Sequence, residues 1–107
     1  MQQMPGQRMQ QLRKMLERTP NDPFLLYGLA LEFKKANEPA QALDFLAKTI
    51  AADPGYCYAY FQKGQVHELL GDMASAKSSY LEGIDAAAKK GDAHARSELE
   101  GALSMIE

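Results

Sequence analysis

The sequence repeats itself with a period of 34 residues, and this period constrains the fold more than any other feature. When the chain is shifted by that amount, large apolar, small and proline positions fall on residues of the same kind. The matched pairs are Leu16 with Ile50, Pro20 with Pro54, Phe24 with Tyr58, Tyr27 with Phe61, Ala30 with Gly64, Ala42 with Ala76 and Ile50 with Ile84. A fixed period of this length is typical of stacked supersecondary units that bury their apolar faces against one another. The sequence therefore predicts a repeat protein.

Helix signals fill each repeat, and no segment alternates apolar and polar residues as a strand would. Asn21 or Asp22 before Pro23 marks a helix start, because a side-chain oxygen can cap the first turn and proline lacks an N–H that would be unpaired there. Gly71 and Gly91, each followed by aspartate, mark a helix end and a new start. These signals predict an all-α chain of about six helices, over residues 7–18, 23–36, 39–52, 57–70, 73–89 and 92–106. The short links favour antiparallel neighbours.

The repeated residues resemble the tetratricopeptide repeat (TPR) family. Its pattern has a large apolar residue, leucine, a small residue and an aromatic residue in the first helix, then alanine, a large apolar residue and proline in the second. Residues 23–56 supply the whole pattern with Leu26, Leu29, Ala30, Phe33, Ala42, Leu46 and Pro54. Residues 57–90 supply Tyr60, Gly64, Ala76 and Tyr80, and depart from the pattern at Lys63, His67 and Ala88. The chain is thus similar to small bacterial TPR domain proteins over nearly all of its length beyond residue 6.

The resemblance implies antiparallel helical hairpins stacked as a short right-handed α–α superhelix, a TPR solenoid. One domain is expected over residues 7–107, and residues 1–6 are expected to form a mobile N-terminus. The domain divides into a half-repeat helix, two repeats and a capping helix, at 7–22, 23–56, 57–90 and 91–107. Because Ala88 replaces the proline of the pattern, the fifth helix is expected to run on towards Lys90.

Composition and charge exclude several classes of function. The net charge of −2 gives no electrostatic case for a nucleic-acid partner. No run approaches the roughly 18 apolar residues of a membrane span, and the N-terminus lacks the apolar centre of a secretory signal, so we expect no membrane partner and a cytoplasmic location. Cys57 is the only cysteine and cannot form an intrachain disulfide. The basic residues of segment 1–21 are expected to form a solvated helix face.

No residue pattern for catalysis, cofactor binding or metal binding is found. The fragment "HELLG" begins with His67, but Gly71 stands where a zinc-binding helix would place its second histidine. His67 is interpreted as a substituted core residue, and His94 lies at no ligand spacing from it. Cys57 has no histidine close in sequence, although its place at a helix start is expected to lower its pKa somewhat. No glycine-rich loop of the phosphate-binding kind is present. We therefore expect no enzyme activity, no cofactor and no metal site.

In the TPR family the first helix of each pair lines a concave groove that binds partners, and the resemblance carries those positions to this chain. The predicted partner-binding residues are Phe24, Tyr27, Leu31, Lys34, Tyr58, Phe61, Gln62, Gln65 and Glu68. One version of the family grips a terminal carboxylate with Lys and Asn, where this chain has Tyr27 and Leu31. The resemblance therefore implies an apolar or aromatic protein segment as ligand, such as an amphipathic helix laid into the groove.

Three hypotheses follow for the aromatic segment "YCYAYF" at residues 56–61 and the groove that it helps to line. The first is a protein–protein interaction module, an adaptor or scaffold that binds a partner segment in the groove. The second is a homodimer that uses the same groove, or uses the half-repeat helix, whose Met9, Leu12 and Leu16 would then be exposed. The third is that the first helix folds over the groove and its aromatic residues are ordinary core. In the first two hypotheses the helical register of residues 57–70 places Tyr60 in the core.

Overall fold

The computed structural model of the protein describes residues 6–107, so the predicted mobile N-terminus lies outside the described residues except for Gly6. The six helices are α1 (Gln7–Arg18), α2 (Pro23–Lys35), α3 (Pro39–Ala52), α4 (Cys57–Leu69), α5 (Met73–Lys90) and α6 (Ala93–Ile106). Each bound lies within one residue of its prediction, and α5 reaches Lys90 as expected. Residues 6–107 contain no strand. The all-α class is confirmed.

Aspartate side chains cap the N-termini of three of the helices. The Asp22 carboxylate accepts a hydrogen bond from the backbone N–H of Phe24 at 2.9 Å, with Pro23 following as the first residue of α2. The Asp72 and Asp92 carboxylates each accept one from the N–H three residues later, at 3.0 Å. These bonds pair N–H groups that have no partner within the helix. The connections between the helices are two to four residues long.

The helices pair as antiparallel hairpins, α2 with α3 and α4 with α5, and the two hairpins stack through α3 and α4. Small residues lie where the paired helices come close. They are Ala30, Ala42 and Ala76, and each is at most 1% exposed. Phe33 and Leu46 fill the core of the first hairpin, and Tyr60, Tyr80 and Leu99 fill the core of the second hairpin with α6. The result is an elongated stack of 42 × 28 × 22 Å.

Helix α1 packs its apolar face against α2, so this face is not exposed. Leu12 is 4% exposed and lies against Gly28, where an added Cβ would be 3.4 Å from the leucine methyl carbons. Met9 and Leu16 are partly buried on the same core. The expectation that these three residues are exposed is therefore wrong, because α2 covers the face that carries them. The exposed apolar residue of α1 is Met15, at 52%.

Helix α6 closes the other end of the stack. Its Ala95, Leu99 and Leu103 are buried against α5, and it also contacts α4. Leu99 approaches Gly83 so closely that a Cβ there would lie 2.8 Å from it. Within residues 6–107, no helix combines the length and the apolar character needed to cross a membrane.

Candidate functional site

The first helices of the two repeats, α2 and α4, carry the residues predicted to bind a partner. We call the surface that these two helices form together with α6 the groove wall. Phe24 begins this wall in the first turn of α2 and is 65% exposed. Tyr27, one turn further along, is half-buried because its ring packs on Tyr56, with 4.9 Å between the ring centroids. Burial raises the pKa of Tyr27, while a hydrogen bond with Gln62 opposes this with a smaller effect. The two aromatic residues of α2 thus differ, since one ring is fixed and the other is free to contact a ligand.

On α4, Tyr58 and Phe61 meet edge to face, with ring centroids 6.4 Å apart. The Tyr58 hydroxyl donates a hydrogen bond of 2.9 Å to Glu98 of α6, and this bond raises the pKa of Tyr58. His94 of α6 lies 2.7 Å from the same carboxylate oxygen. The groove wall therefore continues onto α6, which was predicted as a capping helix and not as part of the binding site.

A polar bridge joins α2 to α4 in the middle of the groove wall. The Lys34 ammonium donates a hydrogen bond of 2.8 Å to the side-chain oxygen of Gln62, and both side chains are partly buried. No carboxylate lies within 4.0 Å of the Lys34 ammonium among residues 6–107. Leu31 lies one turn before Lys34 and is partly buried. The bridge places a positive charge and an amide beside the aromatic end of the wall.

The last turns of α4 are held by Tyr80, a residue of α5 that was not among the predicted site residues. Its ring is fully buried and crosses α4 at Gly64, and its hydroxyl lies between Gln65 and Glu68. Gln65 donates a hydrogen bond of 2.7 Å to that hydroxyl, which itself donates to the Glu68 carboxylate. Burial, with the bond to Glu68, raises the pKa of Tyr80 far above its ordinary value.

The sequence contains one signal for this contact. The first repeat pairs Ala30 with Leu46, whereas the second pairs Gly64 with Tyr80 at the same places. A smaller residue on one helix is matched by a larger one on the other. A comparison of the two repeats at these places therefore points to a ring that crosses between the helices.

A cavity of about 250 Å³ opens between the aromatic end of α2 and the starts of α4 and α6, and it is lined by Tyr27, Tyr56, Cys57, Tyr58, Lys90 and Asp92. Cys57 itself is 4% exposed. Burial raises the pKa of the Cys57 thiol by more than nearby Lys90 lowers it. The expectation that this pKa is lowered is wrong, because desolvation of the thiolate is the largest effect and raises it.

The structure brings some of the predicted site residues together and leaves others apart. Tyr27 and Tyr58 share the cavity, Lys34 contacts Gln62, Tyr58 contacts Phe61, and Gln65 and Glu68 share the Tyr80 hydroxyl. Phe24 lines neither the cavity nor the polar bridge. Tyr56, Tyr80 and Glu98 hold side chains of the wall in place but were not among the predicted site residues.

The histidines and the cysteine form no catalytic or metal-binding group in the part of the chain that the structure describes. His67 is partly buried on α4, and His94 is exposed on α6 beside Glu98. No three His, Cys, Asp or Glu side chains are grouped as a metal site requires within residues 6–107.

Known proteins share both the sequence pattern and this fold, although no protein-family model matches the chain. A TPR repeat-containing protein of Pseudomonas aeruginosa is 28% identical over 96 residues, which are 90% of this chain and 91% of that protein. The solution structure of a tetratricopeptide repeat domain protein from Salinibacter ruber is 33% identical, with a TM-score of 0.77 over 82% of this chain and 89% of that chain. The solution structure of a protein from Bordetella parapertussis is 25% identical, with a TM-score of 0.80 over 99% and 89%. These similarities span most of both chains in each comparison.

Proposed function

This chain belongs to the tetratricopeptide repeat family, whose members are in general protein–protein interaction modules, and from that premise we propose that it is an adaptor or scaffold. It binds an apolar or aromatic segment of a partner protein along the groove wall of α2, α4 and α6. The partner lies across the first helices, as a helix or an extended segment, in the way that helical repeats use their inner surface.

The observation that carries the proposal is the exposure of Phe24 at 65%, one helical turn before Tyr27, whose ring is already held by Tyr56. A phenylalanine left in water has apolar area to bury, and aromatic side chains dominate the energy of protein interfaces. The rings of Tyr27 and Tyr58 are oriented by Tyr56 and Glu98, so little side-chain freedom remains to be lost on binding. A partner therefore meets one free anchor and a preorganised aromatic surface.

The polar half of the wall supports the same proposal. Lys34 and Gln62, and further along Gln65 and Glu68, offer donors and acceptors whose positions are fixed by the hydrogen bonds of Lys34 and Tyr80. Interfaces combine an apolar centre with polar groups that set orientation. The aromatic end supplies the affinity, and the polar end sets the register of the bound segment.

The test is affinity capture from the native cell with the wild-type chain and with Phe24→Ala. Phe24 packs on no core cluster, so we expect the variant to keep its fold by circular dichroism and to lose affinity for the captured partner by about tenfold or more. Leu81→Ala is the matched control, because Leu81 is 48% exposed on α5 and lies away from the wall. Unchanged binding by Phe24→Ala and by the double variant Tyr27→Ala with Phe61→Ala, both folded, would place the site elsewhere.

Homodimerisation through the same wall is the second candidate, and the exposed Phe24 ring supports it equally. The half-repeat route to a dimer has no such support, since α2 covers the apolar residues of α1. Light scattering over a range of concentrations separates the two candidates. If the wild-type chain is a dimer and Phe24→Ala is a monomer, self-association is supported. If the wild-type chain stays monomeric at high micromolar concentration, the adaptor is the remaining candidate.

We further propose that the protein acts in the cytoplasm and has no enzyme activity. A single buried cysteine suits a reducing compartment, where thiols stay reduced. The family consists typically of non-catalytic modules, which supports the second part. Fractionation of the native cell tests the location.

A further inference from the structure

A second surface, on the side of the second helices, contains two crevices that occupy equivalent places in successive repeats. The first crevice lies between α1 and α3 and has a volume of about 670 Å³, and the second lies between α3 and α5 with about 360 Å³. The 34-residue period relates their linings, because Leu16, Pro20, Leu26 and Lys48 of the first match Ile50, Pro54, Tyr60 and Glu82 of the second. The contents of the second crevice can therefore be compared with those of the first, place by place.

The second crevice is occupied by a tyrosine side chain. Tyr60 is 7% exposed, and its hydroxyl donates a hydrogen bond of 2.8 Å to the carbonyl oxygen of Pro54. In the first crevice Leu26 stands at this place and has neither the ring nor the hydroxyl. The crevice of the first repeat is the larger one, and the absence of the ring leaves room in it.

The hydrogen-bond acceptor is nevertheless retained in the first crevice. The turn at its end is the same, since the N–H of Asp22 bonds to the carbonyl of Thr19 at 3.1 Å just as Tyr56 bonds to Asp53 at 3.0 Å. This places the carbonyl of Pro20 as that of Pro54 is placed. Pro20 is exposed, and no donor among residues 6–107 pairs with its carbonyl. A hydroxyl in the position of the Tyr60 hydroxyl would therefore find an acceptor.

The rim of the first crevice also favours an aromatic occupant. The Arg13 guanidinium lies 5.5 Å from the centroid of Phe33, and the Lys48 ammonium lies 4.5 Å from the centroid of Phe45. Both cations lie on aromatic faces beside the opening, where Lys48 also pairs with Asp44 at 3.2 Å and Glu17 is the acidic residue of the lining. Cations attract the face of an incoming ring. At the second crevice Glu82 stands in the place of Lys48, and the other charged residues of its lining, Asp85 and Lys89, pair with each other.

We propose that the first crevice is a docking site for a tyrosine side chain carried by a segment of a partner protein. The ring lies on Leu16 and Leu26 between Arg13 and Lys48, and its hydroxyl donates to the carbonyl of Pro20. This site is separate from the groove wall, so an adaptor with both would hold two segments on opposite sides of the stack.

The experiment is a nuclear magnetic resonance titration of the full ¹⁵N-labelled chain with three short peptides, acetyl-Gly-Tyr-Gly-amide and its Phe and Leu analogues. We expect the Tyr peptide to shift the amide signals of Leu16, Asn21 and Leu26. The Phe peptide should bind about fivefold more weakly because it lacks one hydrogen bond, and the Leu peptide should bind more weakly still because it also lacks the ring.

Two variants of the crevice make the result decisive. Leu26→Tyr reproduces the second repeat and should weaken binding of the Tyr peptide by about tenfold or more, because the crevice is then filled from within. Arg13→Ala removes the rim cation that lies on Phe33, and the folded variant should bind the Tyr peptide severalfold more weakly. Lys14→Ala, also exposed on α1 but outside the lining, should not weaken binding.

Four outcomes would overturn the proposal: no shift at the crevice up to the solubility limit of the Tyr peptide, equal binding of the Leu peptide, undiminished binding by folded Leu26→Tyr together with Arg13→Ala, or crevice signals that move with protein concentration alone. The last outcome would assign the crevice to a second copy of the chain. Phe24→Ala should leave the crevice signals unchanged, so failure here and failure of the groove proposal are distinguishable.

Discussion

At Gly64 the absence of a side chain on α4 makes room for the ring of Tyr80 from α5. A Cβ added there would lie 2.7 Å from Cδ1 of that ring and closer still to Cε1. The longer side chain reaches through to the groove wall and holds Gln65 and Glu68, which Leu46 cannot do at the equivalent place in the first repeat. A core contact is in this way coupled to the orientation of two candidate binding residues.

We expect Gly64→Ala to destabilise the protein by about 1–3 kcal/mol, because a methyl group in a filled space forces the ring of Tyr80 to move. Gly101→Ala is the matched control, since nothing lies within 4 Å of a Cβ added at this exposed helical residue. Alanine there should stabilise by about 0.5–1 kcal/mol. Urea denaturation measures both, and equal stabilities of the two variants would contradict the close contact.

At the scale of the helix, local chemistry decides where each element begins and ends. The caps at Asp22, Asp72 and Asp92 and the left-handed glycines at Gly71 and Gly91, with φ of 77° and 75°, act within a few residues of chain. Such signals can be recognised without knowledge of the packing. This is why the helix bounds could be predicted within one residue.

Asp22→Ala should lower the free energy of unfolding by about 1 kcal/mol, because the N–H of Phe24 loses its acceptor at the start of α2. Asn21→Ala is the control, since Asn21 is exposed and its side chain makes no cap bond, and it should change stability by less than about 0.5 kcal/mol. If both variants lost stability equally, the cap would not be Asp22.

At the scale of the whole molecule, packing between helices buries the tyrosine side chains wholly or in part. Burial is the largest cause of the raised pKa of Tyr27, Tyr56, Tyr60 and Tyr80. These side chains lie in both hairpins and in the contact between them. Their ionisation therefore reports on the integrity of the whole stack and not on one helix.

Stability should fall as the pH rises above about 10, the ordinary pKa of tyrosine. In the unfolded chain the tyrosines lose their protons there, whereas in the folded chain they keep them, so the unfolded state binds fewer protons and is favoured by rising pH. Guanidinium denaturation at pH 8, 10 and 11 measures this slope. Tyr60→Phe, which removes one of these groups, should flatten it, and a stability that is constant through pH 11 would contradict the burial of the tyrosines.

The sequence by itself determined the six helices, the pairing into hairpins and the place of Tyr60 in the core, because caps, helical periodicity and the 34-residue repeat depend on residues close in the chain. Only the tertiary structure decided that α1 turns Leu12 onto Gly28, that Tyr58 reaches Glu98 forty residues away, that Tyr80 supports Gln65 and Glu68, and that burial raises the pKa of Cys57. These contacts depend on how far one helix lies from the next and on which side chain fills the space between them. That distance is set by all the small and large residues of both helices together, and no local pattern contains it.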